Sequence, residues 1–304
     1  MQPLSSWLSY RTFGVGDPFD PEHRLVTSPV LPSIVLGVLR LLFAIYTLVT
    51  VSYVLHYTVA VNGSATYFFP YFTDLTYTGI CSYFWASSVQ TLAYALTGKK
   101  MYPLQRWPRV LQVLHLILWS TITTFPFIVT IVFWGLLSDS STFATLYSRW
   151  SAVSVHAMNT GFALFEILLT NAGPSAWINV IPVFICIALY LPVAYINYAN
   201  TGYYTYAFLD PRSSHGLLAA YIIGIGAGTI IVFVIVRGIT MLRRHLSRGR
   251  GLSSAGDGPT HEEIDEWQEV ELAEVPISLE MQERERDRKE SNPASSTAGA
   301  SSAV

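Results

Sequence analysis

The sequence has few charged side chains. Asp, Glu, Lys and Arg make up only 12% of the 304 residues, about half the share that is usual in soluble domains. The formal net charge is −2, so composition indicates neither a nucleic acid nor another polyanion as a partner. Hydrophobic residues make up 51% of the chain, and its mean hydropathy is +0.39. This composition indicates an integral membrane protein.

Cysteine is also scarce, and several common signals are missing. The two cysteines, Cys81 and Cys186, lie inside apolar runs, so we expect buried thiols and no disulfide framework. No group of Cys, His and carboxylate residues has the spacing of metal ligands, and no cofactor is predicted. The N-terminus lacks a charged stretch followed directly by an apolar one. No cleavable signal peptide is therefore predicted, and the first membrane span is expected to direct insertion.

Apolar stretches are what the chain has in quantity. Six of them approach or exceed the roughly 20 residues that a membrane-spanning helix needs. They cover approximately residues 33–55, 73–97, 111–137, 150–171, 177–199 and 216–241. We therefore predict an all-α, polytopic membrane helix bundle with about six transmembrane helices. Five or seven spans remain open, because the second stretch is the most polar of the six.

The distribution of Lys and Arg predicts the orientation. If the N-terminus is cytosolic, 11 of the Lys and Arg residues up to position 250 lie on the cytosolic side and two, Arg149 and Arg212, lie on the other. The positive-inside rule then places both termini in the cytosol. We expect the endoplasmic reticulum or another endomembrane rather than the plasma membrane. The sequon at Asn62 falls on the non-cytosolic side, which agrees with this orientation.

The spans divide the chain into three parts. Residues 1–30 are predicted to form an N-terminal cytosolic segment, and residues 31–245 the transmembrane domain. Residues 246–304 are first acidic and then of low complexity. Such a composition buries too little apolar surface to offset the entropy lost on ordering. We therefore expect a disordered cytosolic tail, which could bind a protein partner.

The second span carries a polar stripe. On a helix with about 100° per residue, one face collects Thr73, Thr76, Tyr83, Ser87, Gln90 and Tyr94. Hydrogen bonds between helices explain the lower part of such a stripe. Thr73, at the top of the stripe, is the position where a function is expected.

The fourth span contains ionisable residues, which are costly in hydrocarbon and often mark a site. His156 lies one or two turns from the non-cytosolic end, and Asn159 follows on the same face. Glu166 is about 15 Å further along the helix axis. It is therefore too far away to orient His156, and a buried polar lock is the better interpretation of Glu166.

The predicted topology brings a hydroxyl and an imidazole to one membrane face. Thr73 and His156 each lie near the start of a span that descends from the non-cytosolic side. A hydroxyl beside a histidine base is the minimum machinery of nucleophilic acyl transfer. His56 and His215 lie near the same face as rival bases. Arg40, in the first span, either extends its guanidinium to the cytosolic surface or pairs with the carboxylate of a lipid.

Three segments carry a family pattern. They read YFT at 71–73, HAMNTGFALFE at 156–166 and NTGYYTYAFLD at 200–210. In these residues the chain resembles the androgen-induced, FAR-17a-like family of six-span membrane proteins, over about residues 33–240. That family includes hydrolases of fatty acid esters of hydroxy fatty acids. The fourth span is also similar to the rolling-stone proteins, relatives with developmental rather than enzymatic roles.

The resemblance implies a reaction and its residues. Thr73 matches the nucleophilic Thr of the family, although the short first segment could be shifted to Thr76, and His156 matches its general base. The implied substrate is a lipid ester with a branched acyl linkage. We expect Asn159, Tyr83 and Arg40 to bind this substrate, with no cofactor and no metal.

A second function from a different class stays open. The chain could be a non-enzymatic multispan protein that binds lipid or a protein partner. A transporter is less favoured, because the spans show neither paired charges near the midplane nor internal repeats.

Overall fold

The computed structural model describes residues 9–212 and 215–249. Within these ranges every regular element is helical, which confirms the predicted all-α class. The α-helices of the described ranges are α1 (Ser33–Asn62), α2 (Phe72–Leu96), α3 (Arg109–Ile122), α4 (Phe125–Val132), α5 (Leu146–His156), α6 (Met158–Leu169), α7 (Val180–Thr201) and α8 (His215–Gly249).

Five helical segments of the described ranges are long and apolar enough to cross a membrane. They are Ser33–Asn62, Arg109–Leu137, Leu146–Leu169, Trp177–Thr201 and His215–Ser247. The chain is therefore a multi-pass integral membrane protein. The remaining predicted span forms α2, but α2 is not among the five because its polar stripe lowers its hydropathy.

Helix α2 turns its polar stripe towards the protein interior. Thr73, Tyr83, Ser87, Gln90 and Tyr94 are all buried, while Thr76 is half-buried. The neighbouring α1 packs along α2 as an antiparallel partner. Gly37 allows this close approach, because a Cβ at that position would lie 2.7 Å from Cδ2 of Leu92. The stripe is thus an interhelical surface, as the sequence predicts.

Two of the predicted spans are interrupted. The span predicted at 111–137 breaks between α3 and α4, at Thr123 and Thr124, and ends in a π-helical turn at Phe133–Leu137. Pro126, in the first turn of α4, has no N–H and restricts the residue before it, which accounts for this break. The span predicted at 150–171 breaks at Ala157, between α5 and α6. His156 is therefore the last residue of a helix.

The described part of the N-terminal segment packs against the end of α2. Val15, Phe19 and Val26 share a buried cluster with Tyr94 and Tyr102. At the other end of the transmembrane domain, α8 continues to residue 249, beyond the predicted boundary at 245. The predicted tail lies outside the described residues from residue 250 onward.

Candidate functional site

Thr73 lies in the first turn of α2 and lines an apolar cavity. Its side chain is buried, with 8% of the residue exposed. The cavity has a volume of about 250 Å³, and its walls come from α4, the π-helical turn, α7, the 206–209 segment and α8. We call it the Thr73 cavity; its lining includes Phe72, Thr73, Ile128, Phe133, Ile187 and Tyr206. Most of its surface is hydrocarbon, so the hydroxyls of its lining stand out chemically.

Tyr206 brings a second hydroxyl to Thr73. Its hydroxyl lies near the Thr73 side chain and near the backbone N–H groups of Phe72 and Thr73. Those amides belong to the first turn of α2, whose N-cap residue Tyr71 makes no capping bond of its own within the described structure. Burial, partly opposed by these nearby donors, raises the pKa of Tyr206 to about 12. The phenol therefore keeps its proton at neutral pH.

Tyr190, in α7, also contacts the N-terminal end of α2. Its hydroxyl donates to the carbonyl oxygen of Pro70 at 2.8 Å. Its ring meets that of Phe72 edge to face, with the ring centroids 5.2 Å apart. Tyr206 lies in one of the segments that carry the family pattern, but Tyr190 stands in an apolar run with no signal of its own. Both contacts join segments that are distant in sequence, and so sequence reasoning did not find them.

A second apolar space, which we call the lateral groove, adjoins the Thr73 cavity at Phe72 and Tyr190. Its volume is about 280 Å³. The lining of this groove includes Phe72, Leu75, Thr76, Gly79, Cys186 and Tyr190. Phe72 and Tyr190 line both spaces. Cys186 is exposed here, which corrects its predicted burial, whereas Cys81 is buried as predicted; both are free thiols.

His156 lies at the end of α5 with its ring against Phe133. The two rings are stacked, with centroids 3.5 Å apart and an angle of 3° between their planes. Phe133 lines the Thr73 cavity, but His156 is not among the described residues that do. The imidazole therefore does not face Thr73 directly. Its buried Nδ1 has no hydrogen-bond partner among the described residues.

Thr73 and His156 do lie towards the same end of the helices. The ring of Tyr57, near the end of α1, stacks on that of Tyr147 at the start of α5, with centroids 3.5 Å apart. Helix α2 begins at this end because it runs antiparallel to α1. The rival bases His56 and His215 are exposed and do not line the cavity within the described structure. His156 is thus the histidine that the Phe133 ring links to the cavity.

Asn159 takes part in a polar cluster between α4 and α6. The Thr130 hydroxyl donates to the carbonyl oxygen of His156 at 2.5 Å and lies 3.1 Å from Oδ1 of Asn159. The same oxygen of Asn159 accepts the backbone N–H of Thr160 at 2.7 Å. These contacts stabilise the break at Ala157. Asn159 is buried and helps to hold the position of His156, and its predicted role in substrate binding stays a prediction.

Arg40 forms a buried ion pair with Glu166, and Tyr83 donates a hydrogen bond to the same carboxylate. Both Arg40 and Tyr83 were predicted to bind substrate. Nε and Nη2 of Arg40 donate to the two carboxylate oxygens of Glu166 at 2.8 and 2.6 Å. Tyr83 donates to Glu166 at 2.9 Å, and Nη1 of Arg40 donates to Thr91 at 2.6 Å. Both charged side chains are 0% exposed. The guanidinium therefore neither reaches the cytosolic surface nor pairs with a lipid carboxylate, and Glu166 is the buried polar lock that we predicted.

The comparisons with known proteins leave the family open. No family model matches the chain, and neither a curated protein nor a solved structure does. The resemblance to the FAR-17a-like family stays a prediction.

Proposed function

We propose that this protein is an integral-membrane hydrolase of lipid esters that uses Thr73 as its nucleophile. One observation carries the proposal: the buried hydroxyl of Thr73 lines a cavity whose surface is mostly hydrocarbon. An apolar cavity with a few convergent polar groups is the usual form of a site for a small apolar ligand. The ester group of a lipid would lie at Thr73, and a hydrocarbon chain would fill the cavity.

The lateral groove supports access from the bilayer. It shares Phe72 and Tyr190 with the Thr73 cavity, so the two spaces adjoin at these residues. The hydroxyl of Thr76 in this groove donates to the backbone oxygen of Thr73 at 3.0 Å. That hydroxyl is satisfied locally, and the groove therefore offers mainly apolar surface to a lipid chain.

His156 is the proposed general base. A threonine hydroxyl is a weak nucleophile until a base accepts its proton. The partner-free Nδ1 of His156 supports this role, since buried polar atoms are nearly always hydrogen-bonded. The Phe133 ring would have to turn away before the imidazole could reach Thr73, which makes Phe133 a gate between base and nucleophile.

Substitutions of His156 and Phe133 test this arrangement. We expect His156→Ala to lower hydrolysis of a p-nitrophenyl fatty acid ester about 10²- to 10⁴-fold, the range for general base catalysis. Phe133→Ala should retain or raise activity, because it uncovers the imidazole. Rates are measured on purified protein in detergent, with His56→Ala as the matched control. An unchanged rate in His156→Ala would remove His156 from the mechanism.

One observation favours a second function, lipid binding without catalysis. In the structure Phe133 covers one face of the imidazole, and no described histidine lines the cavity. A lipid chain in the Thr73 cavity would then be a bound ligand rather than a substrate. This alternative predicts lipid that copurifies with the protein and no Thr73-dependent hydrolysis.

We further propose that α2 is the sixth membrane crossing, with both termini in the cytosol of an endomembrane. Its 25 residues give a length of roughly 37 Å, enough for a hydrocarbon core of about 30 Å. Six crossings return the chain to the side on which it began. We expect an epitope at the C-terminus to be digested by protease added to intact microsomes. Full protection of that epitope would contradict the orientation.

A further inference from the structure

We propose that Tyr206 is a further catalytic residue of this site. Its hydroxyl would donate a hydrogen bond to the carbonyl oxygen of the ester as that oxygen becomes an oxyanion. The inference rests on the proposed function, because it needs Thr73 as the nucleophile. Oxyanion stabilisation by fixed donors is usually the largest single contribution to acyl-transfer catalysis.

The position of the hydroxyl carries the inference. The Tyr206 oxygen lies near the Thr73 hydroxyl and near the amide N–H groups of Phe72 and Thr73. Tyr206 also lines the cavity that Thr73 lines. A carbonyl carbon attacked by Thr73 Oγ1 therefore places its oxygen close to the phenol and to the first amides of α2. Helix N-termini favour negative charge at such a point.

The ring of Tyr206 is held in place before any substrate binds. It stacks on Phe208 with centroids 5.2 Å apart and an angle of 3° between the planes. Tyr71 packs against it edge to face at 5.8 Å, and Tyr190 lies 6.1 Å away. A donor fixed by packing costs little reorganisation during the reaction, which is the condition for strong electrostatic stabilisation.

The protonation state of the phenol suits a donor. Burial keeps the pKa of Tyr206 near 12, so the proton stays on the phenol at neutral pH. Tyr206 is therefore unsuited to be the base that activates Thr73. It complements His156 and does not replace it.

Acylation of Thr73 is the first chemical step. The bond between Thr73 Oγ1 and the carbonyl carbon forms, the π electron pair moves to the carbonyl oxygen, and the threonine proton passes to His156. Tyr206 shares its proton with the oxyanion but keeps the covalent O–H bond. When the tetrahedral intermediate collapses, the ester C–O bond breaks and His156 returns the proton to the leaving alcohol. Water then hydrolyses the acyl-threonine by the same route.

The test compares two Tyr→Phe variants of the full chain in detergent. Tyr206→Phe removes the proposed donor, whereas Tyr195→Phe removes a hydroxyl that donates to the carbonyl oxygen of Leu209 in the same segment, at 3.4 Å. The readouts are kcat and KM for a p-nitrophenyl fatty acid ester and the affinity of an alkyl boronic acid, which forms a tetrahedral adduct with a nucleophilic hydroxyl. We expect Tyr206→Phe to lower kcat about 10²-fold with little change in KM. Boronic acid binding should weaken by a similar factor, and Tyr195→Phe should change none of these values.

The outcomes separate the two proposals. If Thr73→Ala abolishes hydrolysis but Tyr206→Phe keeps kcat within about twofold, the role of Tyr206 is overturned and the hydrolase stands. If Thr73→Ala leaves hydrolysis intact, both are overturned. Should Tyr206→Phe melt at a lower temperature than Tyr195→Phe, 3-fluorotyrosine at position 206 replaces it. This analogue has a more acidic hydroxyl, so the alkaline limb of the kcat profile must move to lower pH; an unmoved limb overturns the inference.

Discussion

Replacing Thr73 with alanine is expected to abolish covalent labelling by a fluorophosphonate probe and to lower ester hydrolysis at least about 10³-fold. The reason is that a covalent mechanism cannot proceed without the oxygen that forms the acyl-enzyme. The substitution removes only a hydroxyl and a methyl group from the cavity wall. Labelling is measured on purified protein by gel fluorescence and by the mass of the modified peptide, and hydrolysis with a chromogenic ester.

Thr76→Ala is the matched control for Thr73→Ala. Thr76 lies three residues further along α2, is half-buried, and lines the lateral groove rather than the Thr73 cavity. It is also the alternative nucleophile that a shifted family pattern would select. We expect Thr76→Ala to retain labelling. Labelling lost only in Thr76→Ala would transfer the role to Thr76, and labelling retained in both variants would favour the lipid-binding function.

The helices and their buried faces could be predicted from the sequence. The polar stripe of α2 follows helical periodicity, and each of its members is buried or half-buried. The spacing of polar and apolar residues along a helix is a local property of the sequence, so it predicts the buried face without knowledge of the fold. Thr73 was identified in the same way, as the first residue of the stripe.

The surroundings of Thr73 could not be predicted in this way. Tyr206 and Tyr190 reach the start of α2 from segments more than 100 residues later in the chain. Phe133 stacks on His156 from a π-helical turn that the periodicity of the sequence does not predict. The break at Ala157 likewise depends on a hydroxyl from α4, that of Thr130. Such features arise from tertiary contacts, which override local preference.

The ion-pair partner of Glu166 could not be predicted from the sequence either. The sequence pattern marks Glu166 as a buried polar lock because it shares a helical stripe with Asn159 and Thr170. It does not reveal that the counter-charge is Arg40, which lies 126 residues away. Only the packing of α1, α2 and α6 brings the two together. The pairing satisfies both oxygens of the carboxylate and leaves neither charge isolated.

The Arg40–Glu166 pair gives the largest expected effect on stability. We expect Glu166→Leu to lower the free energy of unfolding by about 3–5 kcal/mol, because it leaves the Arg40 charge buried without a partner. Arg40→Met should lower the free energy of unfolding by a similar amount, because it leaves the Glu166 carboxylate buried without its counter-charge. The double variant, Arg40→Met with Glu166→Leu, should recover most of the lost free energy of unfolding, since apolar residues of similar volume can replace a buried ion pair. Unfolding is followed by titration with a denaturing detergent in mixed micelles.

Tyr83→Phe is the control for this double-mutant cycle. It separates the contribution of a hydrogen bond to Glu166 from the contribution of the ion pair. It removes one hydrogen bond to Glu166 but leaves both charges in place, so a loss of about 1.5–3 kcal/mol is expected. If the loss in the double variant equals the sum of the losses in the two single variants, the two charges are not coupled. The ion pair would then stabilise the helices only through its packing. A strong positive coupling would instead show that α1 and α6 are held together by electrostatics. Because α6 follows the break that ends α5 at His156, loss of this lock should also weaken labelling at Thr73.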